Sequence, residues 1–246
     1  MMKIEKLVVP PAYKVVSQEL EKLILGGTFN PGDQLPSEVE LASLFGVNRS
    51  TLREGIRHLE SEGLVSREGR KRLVITIPDH AELAPRATRS LLMSEVTFKE
   101  LWEVARALEP VSAGLAAQDA TEEDLAHLAR NIEQMAVLVE NGKPTGDVDL
   151  VFHSLLAETT SNRVLLQARE PIGQLLYPPF DLIQLQIPQA PMRNLRAHRE
   201  IHASLVTRDS ERATQWMGRH LEDLKRGWLL AGRSMTDPIS LSPSAD

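Results

Sequence analysis

The chain has 246 residues, 42% hydrophobic and 25% charged, with a formal net charge of −6. That length exceeds one domain of about 100–150 residues, so two domains are expected, with enough apolar residues to build a core and to rule out global disorder. The absence of cysteine excludes disulfide scaffolds and thiolate chemistry and fits a reducing, cytoplasmic setting; no apolar run approaches the ~20 residues that span a bilayer, and Glu5 and Lys6 interrupt any signal-peptide core.

The first eleven residues end in Pro10 and Pro11 and read as an arm (1–11). Val15, Val16, Leu20, Leu23 and Ile24 make a helical stripe over 13–25, stopped by Gly26 and Gly27. After a turn at Pro31, Gly32 and Asp33, Ser37 and Glu40 stand at capping-box spacing and open a second helix, with Leu41, Leu44 and Phe45 as its buried face. Gly46 and Val47 break it, and Asn48 is placed to cap a third helix whose inner side is Leu52, Ile56 and Leu59. Residues 64–67 and 73–77 read as short strands around a turn at 68–71. Over 12–77 this order is that of a winged helix-turn-helix.

Residues 78–93 read as a linker, and 94–233 is helical almost throughout. Thr97 and Glu100 open a helix through Ala117, Thr121 caps the next as far as Asn141 and Gly142, and 147–159 is a third. Asn162 opens a fourth, interrupted by Pro171 and by Pro178 and Pro179, before helices over 192–206 and 210–230. Residues 234–246 are polar, contain Pro238 and Pro243, and are expected to form a mobile tail. The expected fold is mostly α: an N-terminal winged helix-turn-helix with a small β-hairpin wing, then an all-α helical bundle.

Between residues 49 and 72, seven cations stand against four anions, a local charge of +3 in an acidic chain. Local charge decides whether a surface meets phosphate. Arg49, Arg53 and Arg57 recur every four residues on the face opposite Leu52, Ile56 and Leu59, so one face packs and the other points outward. The first turn of such a helix approaches base edges, and an arginine fork suits guanine O6 and N7 or a phosphate. Arg67, Arg70, Lys71 and Arg72 on the wing are placed to reach the neighbouring backbone. The plainer alternative is a solvated face, with Arg57 paired to Glu60 or Arg53 to Glu54; the hairpin and the wing cations outweigh it.

Leu35-Pro36-Ser37-Glu38, Leu41-Ala42, the run from Gly46 through Asn48, Arg49, Ser50, Thr51 and Arg53 to Glu54, and the run from Leu59 through Gly63 to Val65 resemble the N-terminal domain of GntR-family transcriptional regulators. The resemblance implies DNA contacts by Arg49 and Arg53, phosphate contacts by Asn48, Ser50 and Thr51, and a wing contact by Arg70. Many members of the FadR group carry an arginine where Val39 stands, so the operator is expected to differ, and Gly69 stands in for a wing glycine usually found near Lys71.

In the second domain Asp149 and His153 are four residues apart, on one helix face where they could grip one ion or simply bond each other. Imidazole and carboxylate suit zinc, nickel, copper and manganese alike. His198, His202 and His220 lie on the last two helices; if these pack antiparallel, His198 is more level with His220 than His202 is.

The stretches 103–110, 149–153, 161–162, 198–201 and 217–221 resemble the FCD effector domain of the FadR subfamily. That resemblance implies a divalent metal of the zinc, nickel or manganese type held by Asp149, His153, His198 and His220. It also implies an effector contact by Arg106, whose alternative role is a surface partner of Glu103 or Glu109, and one by Asn162, whose alternative role is a helix cap. The function expected is a homodimeric regulator, not an enzyme, that binds a palindromic double-stranded operator and is controlled by a small organic acid, with repression the commoner sense in the family. The alternatives weighed are a metal-dependent enzyme acting on a small carboxylate with an accessory DNA domain, and a constitutive DNA binder whose second half only dimerises.

Overall fold

The computed structural model describes residues 9–69, 72–78 and 80–240. They fall into two compact units, Met1–Glu82 and Leu83–Asp246.

The first unit contains α1 (Ala12–Leu25), α2 (Glu38–Leu44) and α3 (Arg49–Ser61), then β1 (Val65–Glu68) and β2 (Arg72–Ile75). The capping box forms: Ser37 Oγ accepts from the Glu40 amide at 3.3 Å, and Glu40 Oε2 accepts from the Ser37 amide at 2.9 Å. Gly46 turns the chain at a φ of 63°, a conformation glycine adopts without strain. Asn48 Oδ1 then caps α3 by accepting from the Thr51 amide at 2.8 Å. Antiparallel pairing sets Val65 opposite Ile75 and Glu68 opposite Arg72. Val16, Leu20, Leu41, Leu52, Ile56, Leu59, Leu73 and Ile75 form the core.

Leu44, expected in that core, is 77% exposed. The inner face of α2 centres between the buried Leu41 and Ala42, and at 100° per residue Leu44 lies about 110° round from that centre. This two-turn helix is too short to turn a second apolar stripe inward.

The second unit is helical: α4 (His80–Met93), α5 (Phe98–Asp119), α6 (Glu122–Glu140), α7 (Gly146–Thr159), α8 (Arg163–Leu176), α9 (Phe180–Gln186), α10 (Ala190–Val206) and α11 (Ser210–Leu230). Glycine brings α5 and α11 close, since a Cβ at Gly114 would sit 2.6 Å from Thr214 Oγ1. Phe98, Phe152, Leu156, Leu175, Ile201, Leu205, Met217 and Leu221 are among its buried core. Among the described residues no helix is long and apolar enough to cross a membrane.

Three expectations change here. Residues 80–93, read as linker, form α4, because Ala84, Thr88, Leu91 and Leu92 fall at helical spacing and pack inward, Thr88 Oγ1 also donating to Gln174 Oε1 at 2.9 Å. The helix accommodates Pro85, and α8 likewise runs through Pro171, each giving up the one backbone bond its nitrogen cannot donate. The third is the tail: residues 234–240 are not loose but return to the start of α5. Asp237 O accepts from the Phe98 amide at 3.1 Å, Met235 O from the Lys99 amide at 2.8 Å, and Ile239 is 5% exposed. The free amides of a helix's first turn need acceptors, and this segment supplies them. Residues 241–246, and residues 1–8 of the expected arm over 1–11, lie outside the described residues.

Candidate functional site

In the first unit, Arg49 opens α3 and is exposed, as are Arg53 and Arg57 further along it. Asn48 and Ser50 are exposed too, and Ser50 Oγ donates to Asn48 Oδ1 at 2.6 Å, so the cap orders the polar turn that precedes the arginines. Arg53 pairs with neither neighbour on its own helix. Its Nε donates to Glu38 Oε2 at 2.7 Å, while Arg67 reaches Glu38 Oε1 at 3.0 Å and Glu60 at 2.7 Å. Arg53 and Arg67 hold the Glu38 carboxyl below its ordinary value against the small penalty of burial. Arg67, expected to face the nucleic-acid backbone, is thus tied to α2 and α3; Arg70 lies outside the described residues.

In the second unit four groups from three helices converge. Asp149 and His153 share a face of α7, His198 comes from α10 and His220 from α11. Their ligand atoms lie within 4.8 Å of one another. His153 Nε2 and His220 Nε2 are 3.0 Å apart, and His198 Nε2 is 3.0 Å from Asp149 Oδ1. All four side chains are buried. His202 is elsewhere, its Nε2 3.0 Å from the Leu125 carbonyl oxygen.

The donor set fits a divalent cation. Neither ring nitrogen of His198 makes a well-aligned hydrogen bond, although Nε2 lies 3.0 Å from the Asp149 carboxylate and interacts with it. Such a close but misaligned pair is what two ligands aimed at a common point look like, and most buried polar atoms in folded proteins are hydrogen-bonded. Burial lowers His198 and, with the other imidazoles beside it, brings His220 down to about 3. Burial pushes Asp149 up, but the three imidazoles outweigh it and keep the carboxylate ionised. Neutral imidazoles and an anionic carboxylate are the forms that bind a metal. Stacking fixes the rings: Phe152 lies 3.7 Å from His198 and Tyr177 4.0 Å from His153, centroid to centroid.

Residues the sequence did not single out surround this cluster. Asn194 Nδ2 donates to Asp149 Oδ1 at 2.9 Å. It stands four residues before His198, a spacing that would have placed it on the same helix face. Glu109 is no surface partner of Arg106; it is 2% exposed, with Oε2 3.0 Å from His153 Nδ1. Its signal was its place on the apolar stripe of α5, between Ala105 and Ala113. Burial raises the Glu109 carboxyl, yet His153, Arg169 and Tyr177 overcome it and hold it at about 2.

His220 also lines a cavity of about 250 Å³ between α10 and α11, together with Arg193, Arg196, Trp216, Arg219 and Asp223. The two expected effector contacts lie outside it. Arg106 lines an adjoining groove between α5 and α11, which shares Arg219 and Asp223 with that cavity, and meets Glu222 at 3.4 Å. Asn162 is exposed and spends its Oδ1 on the Val164 and Leu165 amides at the start of α8.

Residues 12–75 match the family described as bacterial regulatory proteins, gntR family, and residues 100–223 match the FCD domain. Over 216 residues the sequence is 30% identical to the HTH-type transcriptional regulator YdhC of Bacillus subtilis, covering 85% of this chain and 88% of that one. Over 225 residues it is 29% identical to the Uxu operon regulator of Haemophilus influenzae, covering 89% and 82%. Among solved structures, Streptococcus agalactiae GntR superposes with a TM-score of 0.63 at 25% identity, covering 87% of this chain and 99% of that one.

Proposed function

Since the chain belongs to the GntR family, with an FCD domain as its second unit, and is a DNA-binding transcriptional regulator, we propose that it is a metal-dependent, acid-responsive repressor. It binds a palindromic operator as a homodimer, because two recognition helices reading successive major grooves require two-fold symmetry. Arg49 and Arg53 read the groove, and Asn48, Ser50 and Thr51 hold phosphates. Asp149, His153, His198 and His220 hold the divalent ion.

Bound there, the ion supplies an electrophilic centre on which a small carboxylate can lodge. The chain's own residues do the rest. The cavity beside His220 supports an anionic ligand, since Arg193, Arg196 and Arg219 set three guanidiniums against the single Asp223 carboxylate. They act beside the expected contacts Arg106, whose groove shares Arg219 and Asp223 with this cavity, and Asn162. The ligand releases the operator only through a difference in its affinity for the two states, about 1–3 kcal/mol or 5–150-fold in a normal allosteric protein. Turnover forms no part of this reading; both relatives above are named as regulators.

One observation carries it: four buried ligand atoms within 4.8 Å, with His198 Nε2 3.0 Å from Asp149 Oδ1 but not aligned on it. The test screens small organic acids by thermal shift on zinc-loaded protein, then measures operator affinity by fluorescence anisotropy with each hit. A hit should raise Tm only when metal is present and should weaken operator binding at least fivefold. Hits unaffected by removing the metal would sink the metal-dependent reading.

A further inference from the structure

Behind the four ligand groups lies a buried charge network that ligand binding alone does not explain. Glu109 on α5 takes His153 Nδ1 at 3.0 Å on one oxygen. Its other oxygen accepts from Arg169 Nε at 3.2 Å and Tyr177 Oη at 3.1 Å. Arg169 also donates to Glu170 and to Ser154 Oγ, each at 2.8 Å. Arg169 and Tyr177 are 1% exposed and Glu109 2%. The chain makes room for this: a Cβ at Gly173 would collide with the Arg169 guanidinium.

We infer that Glu109 is the positioning residue of the metal centre, fixing the proton of His153 on Nδ1 so that Nε2 presents a lone pair to the ion. The inference rests on the metal reading above. A carboxylate paired with a guanidinium only accepts hydrogen bonds, so Nδ1 must be the donor. In a neutral imidazole the proton on Nδ1 leaves Nε2 bare, and Nε2 is the atom that faces His220 Nε2 at 3.0 Å. With no acceptor at Nδ1, the proton would be free to sit on Nε2 and block the ligand position. Tyr177 holds both members, stacking on the His153 ring and donating to Glu109. Charge points the same way. Glu109, Asp149 and Glu170 set against Arg169 leave two negative charges, which one divalent ion neutralises and no monovalent ion does.

The test measures zinc affinity of the full-length chain by competition with a chelating fluorophore, and reads the His153 ring by ¹⁵N–¹H NMR. Wild-type protein should show a protonated Nδ1 on His153 in the zinc-loaded state. Outer partners of metal-bound histidines are worth roughly 10–100-fold in affinity. Glu109→Gln, which keeps an acceptor but loses the charge, should fall near the lower end of that range, and Glu109→Ala near the upper. A purely structural Glu109 would lower Tm yet leave zinc affinity within twofold of wild type and the Nδ1 signal in place; that result overturns the inference. Tyr177→Phe retains the stacked ring and loses one donor to Glu109, so it reports even where Glu109→Ala fails to fold, with an affinity loss of a few-fold expected and no change counting against the idea. His220→Ala separates the two levels. If wild type binds zinc no better than His220→Ala, the metal reading itself fails and Glu109 fails with it. If His220→Ala abolishes binding while Glu109→Gln does not alter it, only Glu109 loses its role.

Discussion

Two arginine–glutamate clusters in this molecule use the same groups for opposite ends. In the first unit Glu38 bridges Arg53 and Arg67, whose side chains are 59% and 35% exposed. In the second, Glu109 bridges Arg169 and His153 with almost no solvent contact. An exposed pair is worth about 0–1 kcal/mol because water competes for both partners, so on the proposed reading Arg53 can leave its carboxylate for a base edge at little cost. A buried pair is another matter: removing one partner strands a charge in a poor solvent. The difference teaches where each task belongs. On the proposed function, a reading surface must let go of its internal partners, whereas a site that is to hold an ion must keep every partner in place.

The strongest way to break the comparison is acid. His198 and His220 sit below the ordinary histidine value of 6.5, His220 at about 3, so the unfolded chain takes up protons that the folded chain refuses. Stability of the metal-free protein is therefore full above about pH 6.5 and is lost as pH falls toward 3. Glu109, at about 2 against an ordinary 4.5, adds loss in the same direction at the acid end. Urea midpoints of chelator-treated protein across pH 7 to 3 should fall steadily; a flat profile would show that these imidazoles are not buried as described.

Next in size, Arg169→Met strands Glu109 and Glu170 and should cost about 3–5 kcal/mol in urea unfolding. Arg53→Ala, the matching deletion in the exposed cluster, should cost under about 1 kcal/mol in the same experiment. Equal losses would erase the distinction drawn here.

The exposed cluster then has to matter for DNA instead. Arg49→Ala and Arg53→Ala should each weaken operator binding by about 1–3 kcal/mol, the worth of a good arginine–base contact, with zinc content unchanged. Anisotropy titrations and metal analysis of the same preparations check both halves. The smallest effect is expected for Glu38→Gln. Its carboxylate no longer competes for Arg53, so operator affinity should rise by a few-fold at most, corresponding to less than about 1 kcal/mol. A large loss there would make Glu38 a needed organiser of the surface rather than an exchangeable partner.

What could be read from the sequence was whatever depends on near neighbours in the chain. The caps at Ser37, Asn48, Thr97 and Thr121 form where their spacing places them, since a capping bond spans only three residues. The apolar stripes that build α3 and the arginine face opposite them are equally local. Asp149 and His153 fall on one face by helical geometry alone, and a family resemblance proposed His198 and His220 as their companions.

The tertiary structure decided the rest, for one physical reason: whether a polar group is stable in the interior depends on partners from distant elements. Glu109 is a charged residue on the apolar stripe of α5, and the stripe by itself shows nothing to balance that charge; Arg169 and Tyr177, 60 and 68 residues further on, allow it inside. Residues 234–240 look like a loose end until the free amides at the start of α5 are seen to need their carbonyls. Pro85 and the polar residues around it suggest a linker until Ala84 and Leu91 find a surface to cover. Caps and apolar stripes were settled by spacing along the chain; the helix at 80–93 and the burial of charge were settled by what the folded chain brings together across it.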